Sequence, residues 1–289
     1  MNDVQRRMAE GHAAEDGAGR SPFLVEPGWL QEHLEDDGIR LVHVDVSAES
    51  YARAHIPGAV LWNVYTDLRG PDFQLVGRTA VEHLVRASGI EPESRVVFTG
   101  YAPALGLWLL QAHGHSNLGL LDCSLDAWQA QSRPVSNVAP SPTATAYTLG
   151  EANPALRARR EDVERAIGDP STRILDVRSE AEYRGERFWP SGGQQEGGRA
   201  GHVPTAVNMP INGLLDDLGS FRDASALADA VRAADQTGPA GLITYCTIGG
   251  RAATVWFVLT HLLGRSGVRV YDGSWAEWGL ASTTPVESA

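Results

Sequence analysis

The sequence predicts an α/β fold built from two tandem copies, each a mainly parallel sheet flanked by helices. Three observations indicate this fold class. Short apolar runs rich in β-branched residues alternate with helical stretches, the same pattern returns in the second half of the chain, and a Pro/Ser-rich segment separates the halves. Alternating strands and helices are typical of parallel sheets with covering helices. The length of 289 residues fits two domains of roughly 100–200 residues each.

The repeat consists of an aspartate after an apolar run, then a tyrosine, then a histidine before a proline-containing turn. These residues are, in order, Asp45, Tyr51 and His55 in the first copy and Asp176, Tyr183 and His202 in the second. The second copy has a longer segment, residues 184–201, between its tyrosine and its histidine. Because this insert is rich in glycine and polar residues, we expect a surface loop. Since the inactive-looking first copy keeps the histidine, we interpret both histidines as turn residues.

Repeat and composition together predict the domain organisation. We expect a flexible arm at residues 1–20, a first domain at 21–132, a linker at 133–150 and a second domain at 151–289. The arm is polar with alternating charges, and the linker is rich in proline and serine. Such compositions favour extended or flexible chain over packed structure.

Composition excludes several classes of function. A net charge of −12 argues against nucleic acid or an anionic membrane surface as a partner, because both require a basic face. Two cysteines cannot form a disulfide framework, which favours a reducing compartment. The N-terminus lacks the apolar core of a secretory signal, and no apolar run is long enough to span a membrane. We therefore expect a cytoplasmic protein, and the scattered histidines predict no metal site.

The strongest functional signal is the segment Cys246–Arg251, which joins a predicted strand ending near Tyr245 to a predicted helix. The residues between its ends, expected to contribute to substrate binding, are Thr247, Ile248, Gly249 and Gly250. Glycines let a turn curl until backbone N–H groups point inward, and a helix N-terminus adds partial positive charge. Both effects should lower the pKa of the Cys246 thiol.

We therefore predict Cys246 as the catalytic nucleophile and Arg251 as the cation that holds an anionic substrate. A buried structural cysteine is the alternative interpretation, and the Gly-Gly-Arg context argues against it. The spacing Cys-x4-Arg is one residue shorter than the Cys-x5-Arg loop of cysteine phosphatases. A phosphatase is therefore the least favoured chemistry.

Asp176 and Arg178 follow a predicted strand of the second copy, on the side where α/β sheets form their sites. Arg178 is a weaker candidate for substrate binding. Asp176 is a supporting residue that orients the Cys246 loop, either by accepting its N–H groups or by pairing with an arginine, or else stabilises a turn. The run 272–274 has a counterpart at 122–124, so we assign it mainly to the fold, and we expect Cys123 to be buried and inert.

Taken together, these motifs resemble the tandem-domain rhodanese family of thiosulfate sulfurtransferases. The resemblance is carried by residues 176–183, 201–210, 246–251 and 271–275 and covers nearly the whole chain beyond residue 20. It implies two rhodanese-like domains with the active site between them and the catalytic cysteine only in the second. It also implies that sulfur passes from a small anionic donor, thiosulfate, to cyanide or a thiol through a Cys246 persulfide, without a metal or organic cofactor.

The chain departs from the family pattern at several positions. Thr247 stands where many thiosulfate-using relatives have arginine or lysine, whereas Arg251 stands where mercaptopyruvate sulfurtransferases have a small hydroxyl residue. 3-Mercaptopyruvate therefore remains an alternative donor, and a persulfide-carrying partner protein with little turnover is a further alternative. Glu182 occupies a position where some relatives have arginine, so no role is assigned to it. The insert offers replacement cations at Arg184, Arg187 and Arg199.

The first copy is expected to be catalytically inactive. Thr99 or Gly100 stands where the cysteine should be, and the loop that follows contains neither cysteine nor arginine. Such a loop cannot supply a thiolate or hold an anion. We expect it to be structural and to form one wall of the substrate cleft.

Overall fold

The computed structural model describes residues 21–71, 73–232 and 240–288. The predicted arm, residues 1–20, lies outside the described residues. The chain forms two five-stranded sheets, and every pairing between their strands is parallel. The strand order is β1-β5-β4-β2-β3 in the first sheet and β6-β10-β9-β7-β8 in the second. The same order in both sheets confirms the predicted fold class and the duplication.

The strands and helices of the first sheet alternate along the chain. Its strands are β1 (Leu24–Val25), β2 (Ile39–Asp45), β3 (Ala59–Asn63), β4 (Arg95–Gly100) and β5 (Leu118–Leu121). Its helices are α1 (Pro27–Glu32), α2 (Ala48–Arg53), α3 (Arg78–Ala87), α4 (Pro103–Ala112) and α5 (Leu125–Ala130).

The second domain follows the same plan. Its strands are β6 (Arg157–Ala158), β7 (Thr172–Asp176), β8 (Val207–Asn208), β9 (Gly241–Tyr245) and β10 (Val268–Tyr271). Its helices are α6 (Arg160–Ala166), α7 (Glu180–Tyr183), α8 (Ala224–Arg232), α9 (Gly250–Phe257) and α10 (Ser274–Leu280). A 3-10 turn lies at Ile211–Gly213, and a π-helical turn at Val258–Leu262 continues α9.

The interface between the domains is built around α4 and α9, which pack against each other. Helix α4 is buried on nearly all sides, as expected for a helix whose whole surface is apolar. One hydrophobic cluster runs from the first domain through these two helices into the second. The β9–α9 loop that carries Cys246 therefore starts at the domain interface. None of the described helices is long and apolar enough to cross a membrane.

The repeated tyrosine and histidine form the same turn in both domains. The His55 ring stacks on Tyr51 with centroids 3.9 Å apart, and its Nδ1 lies 2.8 Å from the Tyr51 carbonyl oxygen. His202 stacks on Tyr183 at 3.7 Å, and the corresponding distance is 2.9 Å. The geometry agrees with the interpretation of both histidines as turn residues.

The predicted linker, residues 133–150, contains neither helix nor strand, and the structure describes all of it. It nevertheless lies against the first domain. The Leu149 side chain is buried, and its N–H donates to the Glu82 carboxylate at 3.1 Å. The Thr145 N–H donates to the Arg86 carbonyl oxygen at 3.1 Å. These contacts hold the segment along α3.

Each domain extends one hairpin onto the other domain, and the two hairpins are equivalent. In the first hairpin, defined as residues 69–71 and 73–75, Arg69 and Leu75 form an antiparallel bridge, and the Leu75 N–H donates to the Asp272 carboxylate at 3.1 Å. The second hairpin, residues 215–221, has the same bridge between its end residues. Its last residue, Phe221, donates its N–H to the Asp122 carboxylate of the first domain at 2.8 Å. The hairpin of each domain thus holds the loop after the last strand of the other domain, which is the loop after β10 for the first hairpin and the loop after β5 for the second.

Candidate active site

Cys246 lies directly after β9, at the bottom of a cleft between the domains. Its Sγ accepts a hydrogen bond from the Gly249 N–H at 3.0 Å. Gly249 has a φ of +88°, a left-handed conformation that glycine adopts readily. This turn brings a backbone donor back onto the sulfur and then starts α9 at Gly250. The strand end and helix start both lie where the sequence predicts them.

The β10–α10 loop supports the cysteine loop from behind. The Cys246 N–H donates to Ser274 Oγ at 3.1 Å, and the Trp275 N–H donates to the Cys246 carbonyl oxygen at 2.9 Å. Ser274 has a φ of +53°, which is costly for a residue with a side chain. Its first-domain counterpart, Ser124, has an ordinary φ of −74° and caps α5. The two serines therefore differ, and Ser274 belongs to the candidate site rather than to the fold alone.

Arg251 is engaged by a carboxylate that the sequence analysis left without a role. Its Nη1 and Nη2 donate to the two carboxylate oxygens of Glu182 at 2.9 and 2.7 Å, and Nη2 also donates to Thr247 Oγ1 at 2.7 Å. The Thr247 hydroxyl in turn donates to Glu182 at 2.8 Å. Burial alone would raise the pKa of Glu182, but the hydrogen bonds and charge of Arg251 lower it to about 2. Arg251 therefore faces the cleft as one half of an ion pair.

Glu182 is held in this position by the start of α7. Ser179 caps the helix, its N–H and hydroxyl donate to the Glu182 carboxylate at 3.1 and 2.8 Å, and its Oγ accepts the Glu182 N–H. This reciprocal arrangement is a capping box. The pattern Ser-x-x-Glu was visible in the sequence and could have located the side chain, although not its partner on α9.

Arg178 is fully buried and belongs to a network below the cysteine loop. Its guanidinium donates to Asp176 at 2.6 and 3.0 Å and to the Gly201 carbonyl oxygen at 2.7 Å. The Tyr245 hydroxyl donates to the same carboxylate at 2.5 Å, and the guanidinium lies 4.4 Å from the Trp275 ring centroid. Asp176 thus pairs with an arginine, which is one of the two ways in which we expected it to orient the cysteine loop. Arg178 is not part of the described lining of the cleft, so direct substrate binding does not fit its position.

The insert reaches the cleft with different residues from the expected ones. Arg184 pairs with Glu180 on the surface, Arg187 donates to Ser179 Oγ, and Arg199 donates to backbone carbonyl groups near the C-terminus. Within the described part of the chain, none of these arginines lines the cleft. The insert contributes Trp189, Pro190 and Ser191 instead.

The cleft has a volume of about 520 Å³ and is bordered by both domains. Four aromatic residues lie around it, namely Tyr65, Phe73, Tyr101 and Trp189. The Phe73 and Trp189 rings, from different domains, are 6.1 Å apart. The first-copy loop supplies Tyr101 and Ala102, which form part of the wall. Among residues 21–71, 73–232 and 240–288, no three His, Cys, Asp or Glu side chains are grouped as a metal site.

Comparison with known proteins identifies the family. The family described as Rhodanese-like domain matches residues 26–131 and 159–281. This chain belongs to the rhodanese-like family. Its two matched segments correspond to the two domains. Cys246 lies in the β9–α9 loop of the second domain, whereas the equivalent loop of the first domain has no cysteine.

Curated relatives of this rhodanese-like protein match along most of their length. "Putative thiosulfate sulfurtransferase SseA" of Mycobacterium tuberculosis is 37% identical over 273 residues, which is 91% of this chain and 90% of the relative. "Putative thiosulfate sulfurtransferase" of Haloferax volcanii is 35% identical over 274 residues, 91% of this chain and 96% of the relative. Relatedness at this level supports sulfurtransferase activity for the chain.

Solved structures share the rhodanese-like fold at lower identity. SseA from Escherichia coli, described as a 3-mercaptopyruvate sulfotransferase, superposes with a TM-score of 0.75 at 22% identity, covering 88% of this chain and 98% of that one. The anaerobic ergothioneine biosynthesis enzyme from Chlorobium limicola superposes with a TM-score of 0.78 at 19% identity, covering 92% and 70%. At these identities the likeness establishes the fold.

The structure brings most of the predicted site residues together. The cleft is lined by Cys246, Thr247, Ile248, Gly250 and Arg251, with Gly249 behind the sulfur. The sequence did not reveal three further residues of the site, namely Glu182, Ser274 and Arg69. Arg69 belongs to the first hairpin, and its guanidinium donates to the Ile248 carbonyl oxygen at 2.7 Å. Arg69 carried no signal in the sequence, because its role depends on how the domains dock.

Proposed function

We propose that this sulfurtransferase moves the sulfane sulfur of thiosulfate to cyanide or a thiol through a persulfide on Cys246. The observation that carries the proposal is the position of Cys246 Sγ, at the base of the cleft and 3.0 Å from a backbone N–H donor. Hydrogen bonds to an ionised acceptor are about twice as strong as neutral ones. The donor therefore favours the thiolate over the thiol, and the thiolate is the nucleophile.

The transfer takes two steps. In the first, the Cys246 thiolate attacks the outer sulfur of thiosulfate, the S–S bond of the donor breaks, and its electron pair leaves with sulfite. In the second, cyanide or a thiolate attacks the terminal sulfur of the persulfide, and the electron pair of that S–S bond returns to Cys246. The products are thiocyanate or a new persulfide, and the enzyme regains its thiolate. This is covalent catalysis with ping-pong kinetics.

Arg251 is the cation that supports binding of the donor. Three hydrogen bonds to Glu182 and Thr247 use part of its five N–H groups, and the remainder can bind an oxygen of thiosulfate. Both relatives carry the words "Putative thiosulfate sulfurtransferase" in their names, which supports the same donor. No resident metal or organic cofactor enters the proposed steps.

3-Mercaptopyruvate is the second candidate donor, and the Arg251–Glu182 pair is the observation that favours it. Because Glu182 compensates its charge, the Arg251 guanidinium has a smaller preference for the doubly charged thiosulfate over the singly charged 3-mercaptopyruvate. The donors are separated by measuring kcat/KM for each on one preparation, with cyanide as acceptor and Cys246→Ser as the inactive control. A higher value for thiosulfate supports the proposal, and a higher value for 3-mercaptopyruvate assigns the alternative. A stable persulfide with negligible turnover of either donor would indicate a sulfur-carrying partner protein.

A further inference from the structure

We propose that Arg69, which belongs to the first domain, is a positioning residue for the reaction at Cys246. It fixes the peptide between Ile248 and Gly249 so that the Gly249 N–H faces the sulfur. The inference rests on the proposed function only in taking Cys246 as the reacting atom. It assigns an active part in catalysis to the first hairpin.

The two hydrogen bonds of one peptide unit carry the argument. Arg69 Nη2 donates to the Ile248 carbonyl oxygen at 2.7 Å, and the Gly249 N–H donates to Cys246 Sγ at 3.0 Å. In a planar trans peptide the C=O and the N–H point in opposite directions. When Arg69 holds the carbonyl on one side, the N–H must therefore point to the other side, where the sulfur lies.

The peptide needs such a restraint because it precedes a glycine. Gly249 has access to a wide range of φ and ψ values, so the peptide could rotate and withdraw its N–H from the sulfur. The Arg69 side chain is only 1% exposed, and Nη1 is held by Asp272 at 3.4 Å and by the Phe73 carbonyl oxygen at 3.2 Å. A guanidinium fixed in this way is a rigid donor, and a Cβ at Gly249 would lie 2.6 Å from Arg69 Nη2.

Comparison of the two hairpins separates this role from domain docking. Both hairpins dock through the same backbone contact, from Leu75 to Asp272 and from Phe221 to Asp122. At the position equivalent to Arg69, the second hairpin has Leu215. That hairpin docks on the first domain, whose equivalent loop has no cysteine. Docking therefore does not require an arginine, and the arginine occurs where a cysteine loop has to be held.

The chain offers a matched control for the test. Arg157 also binds the Asp272 carboxylate, at 2.7 and 3.1 Å, but among the described residues its guanidinium has no hydrogen bond to the cysteine loop. Arg69→Met and Arg157→Met each remove one guanidinium from the same carboxylate. In both variants the other arginine still pairs with Asp272, so the buried charge is not left alone. Only Arg69→Met frees the Ile248 carbonyl group.

The measurement is the second-order rate constant for alkylation of Cys246 by iodoacetamide at neutral pH, in a Cys123→Ser background. We expect Arg69→Met to slow alkylation about tenfold, since a hydrogen bond to a charged group contributes on this scale. Arg157→Met should stay within about twofold of the parent. Arg69→Lys keeps a cationic donor and should recover part of the rate. In sulfur transfer, Arg69→Met should lower kcat more than it changes KM, because the restraint acts on the reacting sulfur.

Several outcomes would overturn the proposal. Equal slowing in Arg69→Met and Arg157→Met would show that only the charge balance at Asp272 matters. A raised KM with unchanged kcat would place Arg69 in substrate binding instead. If Arg69→Met unfolds at the assay temperature, Arg69→Gln replaces it in the test. An alkylation rate and a kcat equal to those of the parent in Arg69→Gln would then refute the role. Alkylation needs no sulfur donor, so failure of the proposed function would appear separately, as absence of a persulfide.

Discussion

Replacing Glu182 by glutamine should weaken the fold and strengthen the use of thiosulfate at the same time. The carboxylate is only 1% exposed and binds both terminal nitrogens of Arg251 at 2.7 and 2.9 Å. Glutamine keeps the size of the side chain and one acceptor for Thr247 but removes the negative charge. Arg251 then keeps its place on the cleft without a charged partner.

The pKa of Glu182 gives the magnitude of the stability loss. It is lowered from 4.5 to about 2, and at about 1.4 kcal/mol for each pH unit this corresponds to roughly 3 kcal/mol. Because the folded pKa lies below the unfolded one, this stabilisation is present above pH 4.5 and is lost as the pH falls through about 2. For the donor, an uncompensated cation near an anion gains roughly 1–2 kcal/mol when partly screened, which predicts about a tenfold rise in kcat/KM for thiosulfate.

Urea unfolding at pH 7 and at pH 3, together with thiosulfate kinetics, measures both effects. Glu180→Gln is the matched control, because Glu180 lies on the same helix and pairs with Arg184 at the surface, its side chain 65% exposed. Such exposed pairs contribute about 0–1 kcal/mol, so this variant should behave like the parent. The reasoning is refuted if Glu182→Gln lowers the free energy of unfolding at pH 7 by no more than Glu180→Gln does. It is also refuted if the loss in Glu182→Gln is as large at pH 3 as at pH 7, or if its kcat/KM for thiosulfate stays constant or falls.

Two further substitutions test the cysteine loop and the layer below it. Gly249→Ala should lower the Cys246 alkylation rate and the melting temperature, because its Cβ would lie 2.6 Å from Arg69 Nη2. Gly58→Ala is the control for backbone strain alone, because Gly58 also has a positive φ, +81°, but has open space around it. Tyr245→Phe should reduce the free energy of unfolding by about 1–3 kcal/mol, because the buried Val203 N–H loses its acceptor at 3.1 Å. Urea titration measures this loss, and a change below 0.5 kcal/mol would contradict it at about the scale of a surface substitution.

The duplication and the position of Cys246 were predictable because they follow from short-range patterns. Apolar runs, glycines and the strand-turn-helix order are local properties of the chain, and each domain repeats them. The tight turn at Gly249 needs a residue that tolerates positive φ, and the sequence shows one there. These features depend little on distant parts of the molecule.

The partners of the loop were not predictable, because they come from elements far apart in the chain. Arg251 looked like a free cation in the sequence, and only the folded chain brings Glu182 of α7 to it. Arg69 stands in an unremarkable turn, and its contact with Ile248 arises from domain docking. The apparent equivalence of Ser274 and Ser124 also failed, since backbone conformation is not encoded in a shared residue type.

The central claim is that Cys246 carries the transferred sulfur, and intact mass spectrometry after incubation with thiosulfate tests it most directly. Cys123 is the internal control. It is half-buried rather than buried as expected from the sequence, and this partial burial and the neighbouring Asp122 raise its pKa to about 11, which leaves its thiol protonated at neutral pH. We expect one added sulfur atom on the parent and on Cys123→Ser, removed by cyanide, and none on Cys246→Ser. An unmodified parent protein, or an adduct that persists in Cys246→Ser, would contradict the account.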